Sequence, residues 1–159
     1  MGESEKNALW YGKRACDTMM RKYEAAKLPP VDRFHYHQGV FLSGMNKIYN
    51  LSKDEAYFNY MKSWVDSQID EMGNIKNYDD GQLDDMQSGI LLYPLMDKTG
   101  DPRYKFALDR IVPKIYDFPK TKEGGFWHMR TLPHQMWLDG LYMGGPICAE
   151  YGYRYNKPE

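Results

Sequence analysis

Gln38-Gly39-Val40-Phe41-Leu42, Gln87-Ser88-Gly89-Ile90-Leu91 and Asp139-Gly140-Leu141-Tyr142-Met143 each place a polar residue and a glycine ahead of an apolar run. The three glycines, Gly39, Gly89 and Gly140, are 50 and then 51 residues apart. The junctions that follow these runs repeat as well. Ser52-Lys53-Asp54-Glu55-Ala56-Tyr57 matches Thr99-Gly100-Asp101-Pro102-Arg103-Tyr104 in cap, acid and tyrosine. A unit of this period holds two helices and a turn, and such units bury their apolar faces only by stacking on one another.

Working outward, six helices are expected, and no segment shows the apolar alternation of a strand. The first runs from Ser4 to Ala26, with Ala8, Tyr11, Ala15, Met19 and Tyr23 at helical spacing, and stops at Pro29-Pro30. The second follows His37 and ends near Asn50. The third opens at Ser52-Lys53-Asp54-Glu55, which has the form of a capping box, and carries Tyr57, Met61, Trp64, Val65 and Ile69 on one face. The fourth spans Asp84 to Lys98 and ends at Gly100. The fifth starts at Asp101-Pro102, continues through Tyr104, Leu108, Ile111 and Ile115, and should kink at Pro113. The sixth covers Leu138 to Tyr151. The even helices are apolar nearly all round and should form an inner layer, with the amphipathic odd helices outside. Residues 117–135 read as one long ordered loop, and loops of that length are usually functional. The next outer helix should begin near Tyr155, so the chain is expected to supply the first three hairpins of a larger closed array.

Bulk composition excludes several classes. The 159 residues carry 21 Lys plus Arg against 22 Asp plus Glu, which argues against electrostatic binding of nucleic acid or of a membrane surface. No apolar run approaches the length of a bilayer span, and no export segment follows Met1, so a cytoplasmic location is expected, or a periplasmic one if a leader has been removed. Cys16 and Cys148 lack metal-type spacing and read as small buried residues. Aromatic residues reach 15%, with 14 Tyr and 4 Trp, a content that suits a sugar-stacking cleft and equally an ordinary core.

Three clusters precede the inner helices: Phe34-His35-Tyr36-His37-Gln38, Gln82-Leu83-Asp84-Asp85-Met86-Gln87 and His134-Gln135-Met136-Trp137-Leu138-Asp139. Stacked repeats bring all three to one rim, where Asp84 and Asp139 would face each other across an aromatic cleft. Paired carboxylates in such a cleft are the equipment of glycoside chemistry. A lone Asp at a helix start is more often a cap, held by free N–H groups, so the case rests on the cluster. The four histidines, His35, His37, His128 and His134, invite a metal reading with Asp84 as a further ligand. No compact metal signature supports it, and no metal or other cofactor is expected.

The blocks Phe34–Phe41, Leu83–Gly89, Gly124-Gly125-Phe126-Trp127-His128 and above all Gln135–Pro146 resemble glycoside hydrolase family 105, the unsaturated rhamnogalacturonyl hydrolases. The resemblance implies an all-α (α/α)6 toroid, of which residues 1–159 would be the N-terminal half of a single catalytic domain. It implies an unsaturated rhamnogalacturonan oligosaccharide as substrate and release of its 4,5-unsaturated galacturonyl residue by hydration of the double bond. By motif, Asp139 corresponds to the family's proton donor and Asp84 to its partner carboxylate, while Tyr36, His128, His134 and Trp137 would line the subsite. Met129 stands where the family often has a basic residue. Asp139, flanked by Trp137 and Leu138, is expected to have the drier setting and so to be the better acid. Two alternatives stand beside this reading: an unsaturated glucuronyl hydrolase acting on glycosaminoglycan fragments, and a non-catalytic helical-repeat binding module. The chain alone is expected to be inactive and to self-associate through its open hairpin faces.

Overall fold

The computed structural model describes residues 6–157, and the expected helix start at Ser4 lies outside them. Helix α1 spans Ala8–Lys22 and begins where the Asn7 side chain accepts a hydrogen bond from the Trp10 amide at 3.0 Å. It ends at Tyr23, short of the expected Ala26, and a separate 3₁₀ turn covers Ala25–Lys27. The remaining helices are α2 (Tyr36–Ser52), α3 (Glu55–Gln68), α4 (Leu92–Thr99), α5 (Pro102–Tyr116) and α6 (Gly140–Tyr155). Helix α5 runs through Pro113, which lies in its last turn. Pairing of strand type is limited, among the described residues, to isolated bridges.

The fourth helix departs most from expectation. Instead of one helix from Asp84 to Lys98, two 3₁₀ turns (Leu83–Asp85 and Gln87–Leu91) lead into the shorter α4. Pro94 explains part of this, because its ring would clash with the Ile90 carbonyl and its nitrogen could not donate to it in an unbroken α-helix.

The repeat holds at the level of single atoms. Lys53 and Gly100 each close a helix in the left-handed conformation, with φ of 58° and 69°. Asp54 and Asp101 then cap the next helix, accepting from the amides of Ala56 (3.1 Å) and Arg103 (3.0 Å). The Ser52 and Thr99 hydroxyls accept from the amides of those two aspartates at 3.3 and 3.2 Å. Asp54, rather than Ser52 of the expected capping box, is thus the N-cap of α3, and Glu55 pairs with Lys98. Each outer helix also reaches its predecessor. Tyr57 donates to Asp17 at 2.8 Å, and Tyr104 donates to Asp66 at 2.7 Å.

The even elements touch one another in order, α2 against residues 87–91 and these against α6, with the odd helices packed outside them. Gly39 and Gly89 make this approach possible. A Cβ at Gly39 would overlap Gln87 and Ser88, and one at Gly89 would meet Ile111 at 3.0 Å and Ile147 at 3.3 Å. Between the layers lies a continuous core that includes Leu42, Met45, Met61, Trp64, Leu95, Tyr104, Leu108 and Ile111, all at most 1% exposed.

Candidate active site

The site is assembled by a pairing too short to count as a strand. Residues 128–130 of the long loop run beside residues 81–83: the Leu83 amide donates to the His128 carbonyl at 3.2 Å, and the Arg130 amide donates to the Gly81 carbonyl at 2.8 Å. On its other side the His128 amide donates to the Gln135 carbonyl at 2.8 Å, folding the loop back towards α6. The consequence is that His128 is clamped between the turn carrying Asp84 and the turn carrying Asp139.

His128 is 1% exposed, and its two ring nitrogens face one carboxylate each. Nε2 lies 3.7 Å from Asp84 Oδ1 and Nδ1 lies 3.9 Å from Asp139 Oδ1. The Trp137 ring covers this imidazole face to face, with centroids 4.0 Å apart and planes 5° from parallel. Neither His128 Nδ1 nor Asp84 Oδ1 has a hydrogen-bond partner, although both are buried. Buried polar atoms left unpaired are uncommon and costly. In this case a closure of about 1 Å on each side would convert both approaches into hydrogen bonds.

Asp139 departs from the ordinary behaviour of an aspartate at a helix start. Asp54 and Asp101 cap their helices through their side chains, whereas Asp139, at the equivalent position before α6, makes no side-chain capping bond. Its carboxylate is turned to His128 instead.

The expected ordering of the two acids by dryness is reversed. The Asp139 side chain is 47% exposed and Asp84 only 13%, because the paired loop covers Asp84 while Leu138, 86% exposed, shields nothing. Burial, as the largest influence, raises the Asp84 carboxyl above the usual carboxylate range; the His128 charge acts against this and the Asp139 charge with it. The rings of two other expected subsite residues pack on their own neighbours. Tyr36 packs on His37 at 4.1 Å, and His134, in the left-handed conformation, stands edge-on to Trp127 at 4.9 Å.

The four histidines do not converge on one point. Among the described residues, Asp84, His128 and Asp139 form the group whose potential ligand atoms all lie within 4.8 Å of one another. Sequence reasoning did not single out Asp85. It is 1% exposed and accepts from Gln82 Nε2 at 2.9 Å and from Arg33 at 3.3 Å. Its only signal was adjacency to Asp84.

A family model described as Glycosyl Hydrolase Family 88 matches residues 11–159. The chain belongs to glycosyl hydrolase family 88. In sequence the chain is similar to the unsaturated rhamnogalacturonyl hydrolase YesR of Bacillus subtilis (strain 168), 27% identical over 120 residues, which are 72% of this chain and 33% of that protein. In structure this family 88 chain is similar to a family 105 glycoside hydrolase of C. acetobutylicum ATCC 824, with a TM-score of 0.83 and 34% identity over 91% of this chain and 40% of that one. The resemblance to family 105 seen in the sequence is thus met in the fold, and the stacked hairpins are those of a partial (α/α)6 toroid. The chain spans between a third and two-fifths of the length of these relatives. No helix among the described residues is long and apolar enough to cross a membrane.

Proposed function

We propose that this chain is the N-terminal half of a toroidal catalytic domain that removes the 4,5-unsaturated galacturonyl residue from the non-reducing end of rhamnogalacturonan oligosaccharides. The observation that carries this reading is the pair of carboxylates, Asp84 and Asp139, meeting on the two nitrogens of buried His128. The name of the Bacillus relative supports the substrate class.

In this reading the exposed Asp139 reaches the sugar and delivers a proton to C4, the double-bond electrons forming the new C–H bond. Water adds to the electron-poor C5 and gives up a proton to the carboxylate pair, and the resulting hemiketal opens to release the saccharide. Asp84, whose carboxyl is raised by burial, holds a proton at higher pH than an exposed aspartate, and the two acids act as a coupled pair sharing it. Trp137 offers the flat apolar surface on which a sugar ring stacks, and Tyr36 and His134 line the rest of the subsite. His128 is covered by Trp137, and its role is to hold the carboxylates rather than to meet the sugar directly.

Loss of the conjugated-uronyl absorbance, followed with full-length enzyme, tests the assignment. An unsaturated rhamnogalacturonan disaccharide should be consumed, and an unsaturated glucuronyl disaccharide from a glycosaminoglycan should not. Asp139→Asn should lower turnover on the order of 10²–10⁴-fold, the usual cost of removing a general acid. Turnover within a few-fold of wild type would leave the acids as structural residues and favour a binding module.

A further inference from the structure

A second line of titratable groups starts at the residue next to Asp84. Asp85, the next residue in the same 3₁₀ turn, lies 3.7 Å through Oδ1 from Nε2 of His35. His35 is 4% exposed, and its carbonyl is fixed by the Ser88 hydroxyl at 2.7 Å. Across the ring, its Nδ1 meets Nδ1 of His37 at 2.7 Å, with the ring planes 19° apart. His37 is exposed, and Tyr36 packs against it. Through His35 it is linked to Asp85, the residue next to Asp84, so it lies on the flank of the proposed reaction centre.

A contact of 2.7 Å between two imidazole nitrogens requires one to donate and the other to accept. Which does which follows from the other ends of the rings. Burial, reinforced by the Arg33 and His37 charges, holds His35 down to about 4, so it is neutral at neutral pH and carries one N–H. Burial raises the Asp85 carboxyl while Gln82 and Arg33 hold it down, and as the carboxylate, 3.7 Å away, it favours that proton on Nε2, leaving Nδ1 bare. His37 must then be the donor.

We propose that Asp85 and His35 form a buried relay that holds His37 as its Nδ1–H tautomer, presenting its exposed Nε2 as a bare acceptor for a saccharide hydroxyl beside Asp84. His37 is the contacting residue; His35 and Asp85 are positioning residues that act through it. The saccharide part of the inference rests on the hydrolase reading above, whereas the relay does not.

Full-length protein labelled with ¹⁵N-histidine reads the relay directly at about pH 8. The His37 Nδ1 resonance should be that of a protonated nitrogen and the Nε2 resonance that of a bare one, and Nε2 should move when unsaturated rhamnogalacturonan disaccharide is added. His35→Phe removes the acceptor and should shift His37 towards the Nε2–H tautomer. His35→Asn returns an acceptor oxygen to the place of Nδ1 and should restore the wild-type pattern. In turnover, His35→Phe should raise KM by about tenfold, the worth of one hydrogen bond, with kcat within about twofold. His37→Ala, a change at an exposed position that spares the fold, should do the same, and His35→Asn should recover the low KM. A protonated Nε2 on His37 in the wild type overturns the relay. An unmoved Nε2 resonance with the disaccharide, or an unchanged KM in His37→Ala, overturns the saccharide contact. If the wild-type enzyme fails to consume the disaccharide, the hydrolase reading has failed, and the resonances alone decide the relay.

Discussion

Replacing Gly39 by alanine should destabilise the protein, although it puts a better helix former inside α2. A Cβ at this position overlaps Gln87 Oε1 and comes within 2.6 Å of Ser88 Oγ and 2.9 Å of Ser88 Cα. Gln87 and Ser88 are 2% and 0% exposed, so neither side chain can swing into solvent, and the Ser88 contact includes backbone. Overpacking of a close-packed interior costs about 1–3 kcal/mol, and the backbone contact places this case towards the upper end. Alanine recovers about 1 kcal/mol in helix propensity, which leaves a net loss of about 1–2 kcal/mol. For a chain of this size that corresponds to a Tm lower by roughly 2–8 °C. Gly44, one turn further along the same helix, has nothing within 4 Å of its Cβ position. Gly44→Ala should therefore stabilise by up to about 1 kcal/mol. Thermal unfolding followed by far-ultraviolet circular dichroism measures both variants. Shifts of the same sign, or an unshifted Gly39→Ala, would refute the account of how α2 closes on the 87–91 turn.

Other predictions concern the site and the open faces. Because burial raises the Asp84 carboxyl, the folded state binds that proton more tightly than the unfolded chain, so its contribution is present at acid pH and is lost as pH rises through the folded value. Asp84→Asn should accordingly raise the denaturant midpoint at neutral pH and lose this advantage in acid; a pH-independent difference would show that Asp84 is not held up by burial. Treatment of the full-length enzyme with a chelator should leave turnover unchanged, and loss that a divalent ion rescues would make Asp84, His128 and Asp139 a metal centre. The 159-residue chain expressed alone should self-associate in light scattering and lack turnover. The reason is that Met136, Trp137, Leu138, Leu141 and Tyr142 present an exposed apolar row at the start of α6.

The hairpin repeat was legible because its determinants are local. A left-handed residue, an aspartate cap two residues before the amide it accepts from, and a glycine before an apolar run are all read within a few positions. The convergence of Asp84 and Asp139 was legible only through the repeat, which puts equivalent turns on one rim. His128 was expected on that rim, but its place between the two acids was not legible, since it depends on two long-range backbone hydrogen bonds between the 81–83 and 128–130 segments. The relative exposure of the two acids was misjudged for a related reason. Neighbours in sequence suggested that Trp137 and Leu138 would dry Asp139, but Leu138 points outward and the segment that covers Asp84 comes from more than 40 residues away. His35 stood out in the sequence only as a possible metal ligand, and its link to Asp85 was hidden because a buried aspartate carries no periodicity of its own.

The tyrosine bonds between outer helices bear on how such a molecule is made. Tyr57 of α3 reaches Asp17 of α1, and Tyr104 of α5 reaches Asp66 of α3, so in both cases the donor follows its acceptor in the chain. A polypeptide leaving the ribosome therefore always finds the receiving aspartate already synthesised when the tyrosine emerges. Each of these two hairpins can therefore latch onto its finished predecessor as soon as its outer helix emerges, so docking unit by unit during translation is open to such a fold.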